Sequence, residues 1–473
     1  MNKTVNFSPA WSLAFDTHWL KENLPRYLWR ENEIALAVVQ VEIFYIGESS
    51  KRVTVLYQIE MQDSAHATRR QMYAGYLVPA EQLAAEYDKM AVKAKIQPPC
   101  GRAAALVPEA AMILVAFPND QKLHLLTEAW LQSWLTVHLH EVANGALDGL
   151  AWQVEEAKTE VLRYVPDKRC TTRCRVKLRA ESGLAKEISF IAKQLADAEK
   201  ARRQYDDLEA LRKIWSGNGA ASSDASKESV RFPRALAWEE SNATVFIEEI
   251  SGKNLQHALA DVDLARVMPA VGGMLADFHR ARKYVKKSVS RAGELDEVRG
   301  VIQTVAAALP ELQSRLQRLF EQLEGGQWED SPAVLLHGTF RLNHIFIDGE
   351  ALALIDFDSL RMGHPAYDLA NFFASLYYAE AQKRLEPAQR QNIVRYFIDG
   401  YTAKAPQPLP RERVLWFLTD LLLKKQMYKY LKHFHEDRAQ KVEHMLALAE
   451  AAMAGQRQAP AEAGLETLWK MLP

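Results

Sequence analysis

Cysteine is scarce in this chain: three in 473 residues, Cys100, Cys170 and Cys174. An odd number cannot build a disulfide framework. No third and fourth ligand follow Cys170 and Cys174 at zinc spacing, so the two read as small buried hydrophobes on one face of a strand. Long apolar runs are missing too. No stretch reaches the roughly eighteen residues that a spanning helix requires. The segment Met1 to Trp11 has one early Lys and no uninterrupted apolar core, so no secretory signal is expected. These absences point to a reducing cytoplasm. An excess of either charge is also absent: 59 basic residues stand against 60 acidic ones, a net charge of −1. Nothing global draws the chain to nucleic acid or to an anionic membrane, and no basic stripe suggests a nucleic-acid partner.

What is present describes a globular protein with 48% hydrophobic and 25% charged residues, long enough for two or three domains with cores of their own. Residues 10–35 carry aromatic and aliphatic side chains at helical spacing. A strand-rich block follows, with runs at Val39–Ile46, Arg52–Met61 and Gln71–Val78, a helix from Ala80 to about Lys95, and a buried strand at Ala111–Phe117. After helical patterns at Leu126–His140 and Val154–Val161, a second block takes the same order. Its strands are Thr159–Val165, Arg169–Leu178 and Glu187–Leu195, then a helix over Ala196–Trp215 and a strand over Ala243–Ile250. Lys51-Arg52-Val53-Thr54 matches Lys168-Arg169-Cys170-Thr171, Ala74-Gly75 matches Ala192-Lys193, and Glu86-Tyr87-Asp88 matches Gln204-Tyr205-Asp206. The match predicts an internal duplication interrupted by the insertion Ser216–Asp224. The remainder reads as helices: Met268–Ala281, Glu294–Glu324 and Asn371 to about Met453. A joint of small and polar residues follows at Ala454–Ala463, then a short helix with Leu465 and Trp469.

One stretch interrupts the helical half. Leu335-Leu336 is an apolar strand, His337 to His344 a polar loop, and Ile345 onward a short hairpin closed at Asp348-Gly349. Its second strand ends in Ile355-Asp356-Phe357-Asp358. Polar groups are thereby delivered to both ends of a buried hairpin.

At these residues the sequence resembles the aminoglycoside phosphotransferase and choline kinase group of the protein-kinase-like fold. That group carries H-G-D-x-x-x-x-N, then I-D-F or I-D-W, then D-L-A. Here the frame is His337-Gly338-Thr339 through His344, Ile355-Asp356-Phe357, and Asp368-Leu369-Ala370. Thr339 stands in place of the catalytic Asp and His344 in place of the metal-binding Asn. The resemblance implies an α+β, bilobal fold with an antiparallel-sheet N-lobe and a mainly helical C-lobe; the duplication adds an N-lobe-like domain before it. The expected domains are 1–150, 151–255 and 256–473.

The resemblance also assigns roles. Lys193, at the end of the strand Ile188–Ala192, is expected to meet the α and β phosphates of ATP, steadied by Glu209, with Asp206 in reserve. Phe246 to Ile250, including Glu248 and Ile250, is the expected hinge against adenine. Asp356, with Asp358 two residues on and His344, is the expected Mg²⁺ site, although imidazole suits softer metals. Thr339, His337 and Arg341 make up the catalytic loop, Arg341 reading equally as a phosphate contact or a surface residue. His337, His279 and Asp368 are expected to be architectural. No G-x-G-x-x-G is present, and the turn Val165-Pro166-Asp167-Lys168-Arg169 does not support a backbone phosphate grip. A Thr hydroxyl is no base near neutrality. Losing a general base costs about 10²- to 10⁴-fold. Two functions follow. One is an ATP- and Mg²⁺-dependent phosphotransferase acting on a sugar or amino-alcohol hydroxyl. The other is a pseudokinase that binds nucleotide or a protein partner without chemistry.

Overall fold

The computed structural model describes residues 9–30, 36–48, 52–63, 66–143, 150–217, 230–281, 285–326, 332–432 and 437–458, with a few single positions beyond these. The insertion from 218, most of the joint after Ala454, and Trp469 lie outside the described residues. The chain divides into two compact units, one of residues 1–205 and 235–249, the other of 206–234 and 250–473.

In the first unit, helices α1 (Thr17–Asn23) and α2 (Pro25–Leu28) precede strands β1 (Ala37–Glu48), β2 (Val53–Gln62) and β3 (Thr68–Leu77). Helix α3 (Leu83–Lys93) and strands β4 (Ala104–Val107) and β5 (Met112–Ala116) complete an antiparallel sheet of order β1-β2-β3-β5-β4. One face of this sheet packs on Trp11, Leu20, Leu24 and Leu28, the other on Leu83 and Met90 of α3. Helix α4 (Glu128–Ala143) leads to strands β6 (Trp152–Val165), β7 (Arg169–Ala180) and β8 (Ala185–Leu195) and helix α5 (Ala198–Gly217). After β9 (Val230–Arg231), which belongs to the second unit, come β10 (Ala235–Glu239) and β11 (Thr244–Glu248). The second sheet has the order β10-β11-β8-β7-β6, the order of the first read from its other edge. Each opening strand carries two bulges.

The paired register sharpens the duplication. Val53 faces Leu77 and Cys170 faces Gln194, so one displacement of 117 residues carries both strands of the pair. Tyr76, opposite Thr54, therefore corresponds to Lys193, opposite Thr171. The sequence match of Gly75 with Lys193 is off by one, a slip that would put every side chain of the strand on the wrong face. Val154–Val161 is not helical: it lies inside β6, despite helix-forming Glu, Ala and Lys. Ladder pairing with β7 and cross-strand ion pairs override propensity there, Glu156 lying opposite Lys177 with its carboxylate 2.9 Å from the ammonium. The short strands β4 and β10 were outside the sequence prediction.

The second unit is mainly helical. Its elements are β12 (Lys253–Asn254), α6 (Leu255–Ala258), α7 (Leu264–His279), α8 (Arg291–Ala308), α9 (Gln313–Gly325), β13 (Val334–Leu336), β14 (Ile345–Asp348), β15 (Ala351–Leu354) and β16 (Arg361–Gly363). Helices α10 (Ala366–Ala381), α11 (Pro387–Lys404), α12 (Arg411–Leu421), α13 (Tyr428–Lys432) and α14 (Arg438–Gln458) follow, with a π-helical turn at Leu422–Met427. Strands β14 and β15 pair from Ile345–Leu354 to Asp348–Ala351, with Gly349 at φ +62 in the turn. The protein is thus α+β: two antiparallel sheets in one unit, and a helical unit that carries the loop and the hairpin.

Candidate functional site

Strand β13 ends at Leu336, and the next residues are held from beneath. Gly338 takes φ +80, and a side chain there would run into the carbonyl of Ser359, so glycine is required at this bend. Asp368, buried in the first turn of α10, accepts from His337 N at 2.7 Å and Gly338 N at 2.8 Å. Its Oδ2 also lies 3.3 Å from His279 Nε2, and His279 Nδ1 lies 2.9 Å from the Tyr401 hydroxyl. Burial opposes ionisation of Asp368, but His279 and the loop amides outweigh it and hold the carboxyl below its ordinary range. His337 Nε2 meets the Ile355 carbonyl at 2.9 Å, tying the loop to the end of β15. Burial lowers the His337 pKa and keeps the ring neutral. His337 has no exposed surface, so it positions the loop from below and does not reach the reacting side.

Two further residues complete this cage. Asn371 Nδ2 donates to the Phe340 carbonyl at 3.2 Å, and its Oδ1 accepts from Lys425 Nζ at 3.1 Å. Lys425, on the π-helical turn, also donates to the Gly338 carbonyl at 3.3 Å. Burial, then Arg361 and Lys424, push the Lys425 pKa down to about 7. Sequence reasoning missed both. Asn371 had a signal, three residues after Asp368 on one helix face; Lys425 had none near the motif.

The other side of the loop is built differently. Thr339 is half-buried, its amide 3.4 Å from His337 Nδ1. His344, 4% exposed, presents Nε2 3.1 Å from Asp356 Oδ2. Arg341 Nε donates to the same nitrogen at 2.9 Å. Asp356 leaves the strand in a left-handed conformation, φ 69 and ψ 59, and Asp358 sits in the 3₁₀ turn that follows. The alternation of a strand therefore does not carry from Asp356 to Asp358, because β15 ends at Leu354.

This arrangement does not fit Mg²⁺ as the family frame implies. Mg²⁺ wants near-octahedral oxygen ligands. Here an imidazole replaces an amide oxygen, that imidazole contacts the Asp356 carboxylate, and a guanidinium stands against the imidazole. Among the described residues no three His, Cys, Asp or Glu side chains are grouped to hold a metal ion. No chemical step through Mg²⁺ follows from these side chains.

The remaining sequence candidates are distributed as follows. Lys193 is half-buried on β8, and Glu248 half-buried on β11 opposite Phe190, both in the first unit. Glu209 lies on α5 and Ile250 is buried after β11, both in the second. The β6–β7 turn is engaged within the first unit. Asp167, at φ 62, accepts from Arg52 and from the Tyr76 hydroxyl, the latter at 3.1 Å, while its amide donates to Asp120 Oδ2 at 2.9 Å. The first block thus grips the turn of the second through Arg52 and through Tyr76, the residue in register with Lys193.

Comparison with known proteins comes from two directions. Residues 186–406 match the model of the phosphotransferase enzyme family. No curated protein matches the chain. Among solved structures, the aminoglycoside phosphotransferase APH(2")-IIa, determined with streptomycin and ATP, is 11% identical, covers 69% of this chain and 98% of its own, and superposes with a TM-score of 0.41. A choline/ethanolamine kinase family protein from Mesorhizobium loti is 12% identical, covers 71% and 98%, and has a TM-score of 0.39. The macrolide 2'-phosphotransferase MphH from Brachybacterium faecium is 17% identical, covers 70% and 98%, and also has a TM-score of 0.39. The motif frame at His337, Asp356 and Asp368 therefore lies in a segment, residues 186–406, that matches the phosphotransferase enzyme family.

Proposed function

We propose that this protein uses the phosphotransferase scaffold to bind ATP and a small hydroxyl-bearing molecule, and transfers phosphate poorly or not at all. The observation that carries this reading is the Arg341–His344–Asp356 cluster, with contacts of 2.9 and 3.1 Å, on the side of the loop where the family holds its metal. A hard cation at Asp356 would meet an imidazole nitrogen and a nearby guanidinium where it needs a second oxygen ligand. Thr339 adds to the deficit, since its hydroxyl cannot take the acceptor's proton near neutrality. Lys193 and Glu248 of the first unit are the nucleotide contacts this reading proposes.

A second reading, slow ATP-dependent transfer to a sugar or amino-alcohol hydroxyl, is favoured by the intact cage under the loop. Phosphoryl transfer relies on positioning and charge stabilisation, and the cage preserves positioning. Thermal-shift titration with ATP separates the two. The binding reading predicts an equal shift in EDTA and in Mg²⁺. A shift that appears only with Mg²⁺ or Mn²⁺, or no shift at millimolar ATP, would overturn it.

A further inference from the structure

The first unit contains a cavity that the loop chemistry does not use. It has a volume of about 660 Å³, and its wall runs from the end of α3 through residues 118–127 to Trp130 of α4 and the β10–β11 turn at Ser241 and Asn242. That volume suits a small organic ligand rather than a lone ion. Its polar lining is biased to one charge. Lys93, Lys95, Lys122 and His124 line it against one acid, Asp120.

Asp120 is occupied from several directions. Its Oδ1 accepts from the amides of Lys122 and Leu123 at 2.7 and 2.8 Å, and its Oδ2 from the Tyr164 hydroxyl at 2.6 Å and the Asp167 amide at 2.9 Å. These four donors fix the carboxylate in the wall, where the three lysines outnumber it. Glu239, beside the cavity, is likewise engaged by Ser241 and by Trp134 Nε1 at 2.8 Å. Lys93 Nζ donates to the Gln121 carbonyl at 3.1 Å and braces the wall, while the side chains of Lys95 and Lys122 form no ion pair among the described residues.

Trp130 adds a ring, stacked on Trp134 at 5.9 Å and 15° between planes, so the wall joins cationic groups and an aromatic edge.

From this combination we infer that the cavity is a binding site for a small organic phosphate, a nucleoside or sugar monophosphate. The phosphate is held by Lys95 and Lys122, and the ring lies toward Trp130 and Gln121. The site is built wholly from the first unit and does not depend on the reading of the loop. Because Asp120 is both cavity wall and anchor of the β6–β7 turn, an occupied cavity also stiffens that turn.

Isothermal titration of the full chain with AMP and ribose 5-phosphate, beside adenosine, ribose and inorganic phosphate, tests the site. The expected result is saturable binding of at least one organic phosphate, its neutral parent binding at least about tenfold more weakly. The double variant K95E/K122E, altering exposed side chains, is expected to keep the native melting temperature and lose the binding by at least about tenfold. Asp356→Ala is expected to keep it, which separates this site from the loop. Absence of binding for both phosphates at millimolar concentration overturns the proposal. So do equal binding of the neutral parents, binding by inorganic phosphate as tight as by the organic phosphates, retention in K95E/K122E, or loss in Asp356→Ala.

Discussion

The two sides of the loop 337–344 are built on opposite terms. Beneath it, Asp368, Asn371 and the half-buried Lys425 satisfy the backbone of His337, Gly338 and Phe340, with buried His279 behind Asp368. Above it, Thr339, Arg341 and Asp356 are half-buried, and the buried His344 meets both Arg341 and Asp356. The underside keeps the motif residues His337, Gly338 and Asp368; the upper side carries Thr339 and His344, where the resemblance leads one to expect Asp and Asn. A fold can keep a loop's shape with one set of residues and lose its chemistry with another, because shape depends on buried hydrogen bonds and chemistry on groups that meet the substrate.

The comparison can be broken where it predicts the largest effect. Asp368→Ala strips two loop amides and His279 of their acceptor inside the core, and a loss of about 3–5 kcal/mol in unfolding free energy is expected by urea denaturation. A loss below about 1 kcal/mol would mean that the cage does not hold the loop. Lys425 gives a pH signature from the same side. Its folded pKa is lowered to about 7, while the unfolded chain keeps the proton to about pH 10.4. Between those values the unfolded state binds more protons, so stability rises with pH, by on the order of 1–3 kcal/mol. Lys425→Met is expected to flatten that rise; an unchanged slope would remove Lys425 as its source.

Smaller effects sharpen the contrast. Arg52→Ala removes a partly buried partner of Asp167 but leaves the Tyr76 hydroxyl, so about 1–2 kcal/mol is expected, read as a lower melting temperature. On the upper side, Thr339→Asp is expected to change stability by less than about 1 kcal/mol, since the residue is half-buried and outside the cage. A large loss in that variant would place Thr339 with the underside.

Much of this was legible in the residues. The hairpin at Asp348-Gly349 announces itself through a turn dipeptide between apolar runs, and the order of the two blocks shows in their alternation of strands and helix. His337, Asp356 and Asp368 were placed together by the resemblance of their motifs to the family frame. Four features were not legible, for physical reasons. Val154–Lys158, with its Glu, Ala and Lys, carries a helical pattern, and pairing with β7 makes it part of a strand. The one-residue slip between Gly75 and Tyr76 concerns which face a side chain takes, which pairing settles and local similarity does not. Lys425 reaches the loop from 87 residues away, and no local pattern marks a lysine whose role is set by distant packing. The left-handed turn at Asp356, which separates it from Asp358, is likewise a backbone event at the end of β15.

The central claim, that the upper side of the loop does not support efficient transfer, meets its most direct test in ATP turnover. Hydrolysis and transfer by the wild-type chain and by Asp356→Ala would be measured in Mg²⁺, in Mn²⁺ and in EDTA, with sugar and amino-alcohol acceptors present. The account predicts wild-type turnover at background, the same in all three conditions and the same in the variant. Metal-dependent turnover in the wild type that Asp356→Ala abolishes would contradict it.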